Sequence, residues 1–265
     1  MLSRALLRQV RPSLSRGVSQ VLSDPATWNE SPVVISTLPN GVRVATKQTF
    51  SEASSVGVFV DAGVRSETKD TAGATHLLEQ LAFTGTANRS QAAFESEVES
   101  LGALLSANAG REQTSYVLTL AGSGDLAQGV DIVSDFVTGP AIGNFEKERS
   151  SLLRNLEEQD QTPREVIEDR LHITAFRDDS LGFSTIGPFE GIESLTTAHL
   201  QSYVDANFTA EKIVLAAAGP VTHEELVQLA TKSLGGLRKG SPVVSTKPYF
   251  SGAELLYRND EMGPT

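Results

Sequence analysis

His76, Glu79 and Gln80 stand three and four residues apart in the run Gly73-Ala74-Thr75-His76-Leu77-Leu78-Glu79-Gln80. On a helix those positions share one face. With a histidine at position 80 the run would be a His-x-x-Glu-His zinc helix. Two imidazoles would bind the metal, and the glutamate between them would deprotonate the attacking water. Gln80 stands there instead. Its amide is neutral, offers no imidazole nitrogen and is a poor zinc ligand. Alone, a His-x-x-Glu pair specifies little. The other histidines offer less. His172 lies in an amphipathic stretch, His199 precedes Leu200 and His223 sits at a capping position, so each reads as a packing or surface residue. Gly122-Ser123-Gly124 lacks a phosphate-loop lysine and reads as a turn, and residues 182–187 lack the setting of a nucleotide site.

The elements that must hold these residues follow from periodicity and punctuation. Strands are predicted over Val33–Leu38, Val42–Thr46 and Ser54–Ala62, with the turn Pro39-Asn40-Gly41 joining the first two. The helix bearing His76 begins near Ala72 or Gly73, runs through Leu81 and stops at Gly85-Thr86. Ser90 caps a helix over 91–101 with Phe94, Val98 and Leu101 as its apolar positions. Residues 103–109 and Thr114–Ala121 read as strands. Asp125–Val137 is helical and broken by Pro140, and Phe145–Asp160 is a long charged helix with Leu152, Leu153 and Leu156 as its buried stripe. Pro163 opens a helix to about Phe176. Residues 196–206 are helical, Lys212–Ala218 is a buried strand, and Thr222 caps a helix ending near Gly235-Gly236, with Glu225 placed as in a capping box. This is an α+β body of roughly 200 residues with interleaved strands and helices.

Composition narrows the chemistry. The chain has 265 residues, 22 Lys+Arg against 33 Asp+Glu, and a net charge of -11. An acidic surface argues against nucleic-acid backbone binding, which needs a basic one. The absence of cysteine excludes disulfides, thiolate zinc ligands, a thiol nucleophile and thiolate-held iron–sulfur clusters. No run approaches 18 apolar residues, so no membrane-spanning helix is expected. Residues 1–20 differ in kind: Arg4, Arg8, Arg11 and Arg16, several serines and no acid, with Leu2, Leu6, Leu7 and Val10 near one helical face. That is the pattern of a mitochondrial presequence. Residues 21–32 are a linker and 33–236 the folded domain. Residues 237–250 are a second linker, and Ala253–Tyr257 is expected to begin a strand in residues 251–265, the start of a truncated second half.

Several stretches in order resemble one family. They are Leu38–Gly41, Asp61–Glu67, His76–Thr86, Glu99–Ala103, Asn108–Thr114, the Glu146–Glu158 helix, His172–Phe176 and Ala216–Gly219. Together, over about 33–257, they resemble the mitochondrial processing peptidase and cytochrome bc1 core protein family of M16 peptidases, most closely its β or core 1 branch. The resemblance implies the α+β M16 domain, with a mixed or antiparallel sheet packed with helices, as the N-terminal half of a two-half subunit. A half without its mate would expose the surface that the mate covers and be poorly soluble.

In active members the third zinc ligand is a glutamate on the long helix. The resemblance puts that position at Asn155 and the supporting glutamate at Glu148. His76 and Glu79 are then retained while Gln80 and Asn155 replace two ligands, so Glu79, Glu148, His76, Gln80 and Asn155 are vestigial and no catalytic or metal role is expected. Asn108, Arg111, Glu112 and Gln113 fall in the edge-strand region that binds an extended presequence peptide. Such backbone pairing does not need zinc. The implied function is a noncatalytic core 1-like scaffold of complex III, without a cofactor, on the matrix face of the inner mitochondrial membrane. The implied partners are a core 2 or processing-peptidase α-like subunit, cytochrome b and cytochrome c1, and presequence peptides, with no nucleic acid. The alternative is a zinc-dependent processing-peptidase β subunit that cleaves presequences.

Overall fold

A computed structural model of the chain describes residues 31–122, 124–159, 163–177, 179–240 and 247–256. The expected presequence, most of the expected first linker, residues 241–246 and residues 257–265 lie outside the described residues. Residues 33–265 form one unit built on a six-stranded sheet. Its strands are β1 (Val34–Thr37), β2 (Arg43–Gln48), β3 (Ser54–Val60), β4 (Leu104–Ala109), β5 (Thr114–Leu120) and β6 (Ile213–Gly219). They stand in the order β1-β2-β6-β3-β5-β4. All neighbours are antiparallel except β2 and β6, which run parallel with Val44 opposite Leu215. The sheet is therefore mixed, as the resemblance implies.

Period-two burial explains why these runs are strands. Val44, Val56, Val58, Tyr116, Leu118 and Leu215 are sealed on one face, while Ala45, Val117 and Ala216 on the other are only partly buried. Two helices cover the sealed face. We label the helices α1 (Ala74–Leu81), α2 (Gln91–Ser100), α3 (Leu126–Thr138), α4 (Phe145–Gln159), α5 (Pro163–Ala175), α6 (Phe189–Ser194), α7 (Thr197–Asn207) and α8 (His223–Leu234). α3 lies on β3 and β5, and α8 lies on β2 and against α3. The expected apolar positions Leu126, Val130, Val133 and Phe136 are all buried. Gly129 lets α3 approach the sheet: a Cβ there would stand 2.9 Å from Leu120 and 3.3 Å from Val56. Ser90, Thr196 and Thr222 cap α2, α7 and α8 by accepting from the backbone N–H three residues on.

One expectation needs correction. The described segment Ala253–Leu256 forms no strand. It follows a segment tied to the end of α5, where Ser251 N–H donates to the Ala175 carbonyl at 2.9 Å and Phe250 packs edge-on to Phe176. Among the described residues no sheet edge lies beside it, so its apolar run has no ladder to join. Residues 182–187 lie between α5 and α6. Gly187 packs directly on Gly73 at the start of α1, and the short helix α6, which periodicity over so few residues does not reveal, follows.

Candidate functional site

α1 carries the His-x-x-Glu run. Ala74, Thr75, Leu77, Leu78 and Leu81 are buried and fix the rotation of the helix. His76, Glu79 and Gln80 are thereby turned to its partly open side. The start of the helix is unusual. Gly73 stands at its N-cap in the left-handed region (φ 88°), and no capping side chain of its own is present. The cap comes from elsewhere. The carboxylate of Glu67 accepts the Gly73 N–H at 2.9 Å and the Thr75 N–H at 2.8 Å. An anion there satisfies two orphan donors and complements the helix dipole. Burial pushes the Glu67 carboxyl above its ordinary value, against the lowering effect of these same hydrogen bonds and of nearby His76. Behind it, Thr75 Oγ1 donates to the Tyr203 hydroxyl, which donates to the Gly63 carbonyl at 3.1 Å. Desolvation likewise raises the Tyr203 phenol.

His76 Nδ1 lies 2.9 Å from Glu79 Oε2, and the two side chains are 20% and 17% exposed. Burial raises the Tyr116 phenol on the adjoining sheet, and the charge of Glu79 adds to the shift. The two form a partly shielded hydrogen-bonded pair, with Gln80 one helical turn beyond His76. α4 packs against α1, and its Glu148 is half-buried. Asn155 lies on the same helix, but its side chain is outside what the structure describes. Among the described residues no group of three or more His, Cys, Asp or Glu side chains could hold a metal ion. One imidazole beside a neutral amide does not fit the tetrahedral donor set that a zinc peptidase needs.

The four candidate peptide-contacting residues are near one another but differ in circumstance. Asn108 is exposed on β4, the edge strand that lies beside α1. Residues 110–113 close the β4–β5 hairpin, with the Gly110 N–H bonded to the Gln113 carbonyl at 2.8 Å. Arg111 is ion-paired with Asp169 on α5 at 2.6 Å, and Glu112 with Arg65 at 2.5 Å. The same Asp169 oxygen accepts the Thr185 N–H at 3.1 Å. Arg111 and Glu112 therefore hold the hairpin in place, while the side chains of Asn108 and Gln113 are exposed. Reading the sequence also missed Glu67, Tyr203 and Asp169. Their roles depend on contacts from 6 to 140 positions away in the chain, which no local period reports.

Of the remaining histidines, His172 Nδ1 lies 2.8 Å from the Glu168 carbonyl within α5. His223 bridges Ser36 (Nε2, 2.7 Å) and Thr46 (Nδ1, 3.0 Å), tying α8 to β1 and β2. These are packing roles.

Comparison with known proteins gives concordant matches. Residues 43–189 match the family model described as insulinase, peptidase family M16, and residues 194–262 match the M16 inactive domain. The chain is 39% identical to the mitochondrial-processing peptidase subunit beta of Blastocladiella emersonii over 268 residues, covering 99% of this chain and 57% of that protein. It is 40% identical to human cytochrome b-c1 complex subunit 1 over 234 residues, covering 86% of this chain and 48% of that one. It is 42% identical to the Saccharomyces cerevisiae processing peptidase subunit beta, covering 80% and 47%. The chain spans about half the length of these relatives. A protease from Helicobacter pylori has the same fold, with a TM-score of 0.74 at 20% identity over 82% of this chain and 53% of that one. With a family model matched over more than half its length and the mixed sheet and His76 helix in place, the chain belongs to the M16 peptidase family.

Proposed function

We propose that this chain is a noncatalytic, core 1-like scaffold of the mitochondrial ubiquinol–cytochrome c reductase, acting in assembly and stability rather than in proteolysis. One observation carries this reading. On the helix where an active relative would present two imidazoles, His76 is paired with Glu79 and followed by the neutral amide of Gln80. The likeness to human cytochrome b-c1 complex subunit 1 supports the same assignment. No helix among the described residues is long and apolar enough to cross a membrane. That suits a peripheral subunit on the matrix face of the inner membrane. Its partners are then a core 2 or processing-peptidase α-like subunit, cytochrome b and cytochrome c1. Vestigial Glu79, Glu148, His76, Gln80 and Asn155 take no part in chemistry and no cofactor is bound. Asn108 and the neighbouring edge, framed by Arg111, Glu112 and Gln113, would still accept an extended presequence segment by backbone pairing.

Affinity capture of the tagged chain from mitochondria tests the assignment. Cytochromes b and c1 should co-purify with it in fixed ratio, and capture without either of them would sink the scaffold reading. The retained His76 and Glu79, and the several relatives named as processing peptidase β subunits, favour a second reading. In it the chain is a zinc-dependent β subunit that cleaves presequences with an α partner. That reading requires ligands other than Gln80 and Asn155.

A further inference from the structure

Of the asparagines in the sequence, Asn40 alone is followed by glycine, and it stands in the turn between β1 and β2. Three segments meet there. Asn40 is half-buried, and its Nδ2 donates to the Leu234 carbonyl at 2.8 Å and to the Gly235 carbonyl at 3.4 Å, at the C-terminal end of α8. Carbonyls at a helix end need partners from outside the helix. The Asn40 Oδ1 accepts the Val42 N–H at 3.3 Å. Gly41 has φ 109°, and Glu211 lies over it: a Cβ at Gly41 would stand 2.9 Å from the Glu211 Cγ. Glu211 also accepts the Gly240 N–H, and the Arg238 carbonyl accepts the Ala210 N–H at 3.0 Å. One neutral amide thus ties the hairpin turn to the end of α8, beside the segment that follows that helix.

We propose that Asn40 is a site of spontaneous deamidation, and that its conversion to an acid unlatches the β1–β2 turn from α8. The backbone nitrogen of Gly41 attacks the side-chain carbonyl carbon of Asn40. A carbon–nitrogen bond forms, and ammonia leaves with the proton given up by the Gly41 nitrogen. Water then opens the cyclic imide at either carbonyl, leaving aspartate or its β-linked isomer. Glycine at the following position favours the attack because no Cβ obstructs it. The fold acts on both sides of this reaction. Beforehand, the Gly41 N–H donates to the Leu38 carbonyl at 2.9 Å and the amide is held by the end of α8, so the turn must open locally before the attack. Afterwards a carboxylate stands where the donor was. It faces two carbonyls at the negative end of the helix dipole and lies beside Glu211, and none of these groups donates a hydrogen bond to it. The tie cannot re-form in either product, and the isomer also inserts a methylene into the main chain of the turn. The change is irreversible and accumulates as the folded chain ages.

Ageing of the full chain at mildly alkaline pH, followed by peptide mapping that separates aspartate from its isomer, tests this. Asn40 should convert ahead of every other asparagine, and at least about tenfold more slowly than in the same chain unfolded in urea. Converted molecules should lose amide-exchange protection at the β1–β2 turn and in the last turn of α8, while β3 and β5 keep theirs. Asn40→Asp, made directly, should lower the folding equilibrium constant at least about tenfold. Asn40→Gln, aged in parallel, should keep its protection. A folded chain that ages without conversion at Asn40, or converts as fast as in urea, would overturn the proposal. So would conversion that leaves the end of α8 protected, a loss of protection that Asn40→Gln shares, or an Asn40→Asp chain as stable as wild type. If Asn40→Asp fails to fold, the aged wild-type chain is read by the exchange criterion alone.

Discussion

Glu67 shows how a single residue can matter to this site without touching its reactive groups. Its two hydrogen bonds to Gly73 and Thr75 start the helix that carries His76. Burial raises its pKa, which fixes the sign of its pH dependence. The native state holds the Glu67 proton more tightly than the unfolded chain does. The resulting stability is fully present below the unfolded value, about pH 4.3, and is lost as pH rises through the folded value. The stability advantage of wild type over Glu67→Gln should therefore shrink as pH is raised from about 4 to 7. Urea titrations at successive pH values measure it, and an advantage that grows with pH would contradict the account. A second residue-scale prediction concerns the missing ligands. Gln80→His with Asn155→Glu should bind about one zinc per chain, whereas either single change should bind far more weakly, because coordination number holds the metal. Metal analysis after dialysis reads the difference.

At the scale of elements, short connections carry more of the architecture than their length suggests. Arg89, 13% exposed, gathers Glu97 at 2.9 Å, Asp131 at 2.5 Å and the buried Asp135. It joins the loop after α1 to α2 and α3. Partial burial opposes its charge, yet the hydrogen bonds to Asp131 and Glu97 and the field of Asp135 outweigh this and raise its pKa. Arg89→Ala leaves Asp135 with an uncompensated charge and should cost about 2–4 kcal/mol in urea denaturation. Arg164→Ala breaks only an exposed pair on α5 and should leave the urea midpoint essentially unchanged. The loop before α6 gives a related case. Gly187 has φ 99°, and a Cβ there would lie 2.7 Å from the Gly73 Cα. Gly187→Ala should lower stability by roughly 1–3 kcal/mol and disturb the start of α1. The same melting curves check it.

This contrast explains what could be read from the sequence. The strands and the helices α1 to α5, α7 and α8 were legible because burial imposes a period of two or 3.6 on their apolar residues. Ser90 and Thr222 were legible as caps because their partners lie three residues away. His76, Glu79 and Gln80 were legible as one face for the same reason. Glu67, Asp169 and Tyr203 were not, because their partners come from distant loops and helices. The ion pairs of Arg111 and Glu112 were hidden likewise, so residues that look available for a peptide in the sequence prove to hold the β4–β5 hairpin to α5 and to Arg65.

At the scale of the whole molecule, the described residues set α3 and α8 on one face of a mixed sheet and leave an apolar groove on the other. Such an arrangement suits a subunit that works through contacts. The His76 helix is packed and capped, since its apolar side serves the core. The most direct test is zinc per chain in native complex purified from mitochondria, with presequence cleavage assayed on the same sample and every other subunit identified. The account predicts no zinc assignable to this chain and no cleavage arising from it, alongside cytochromes b and c1. One zinc at His76, with cleavage abolished by Glu79→Gln, would contradict it and return the chain to the active peptidases.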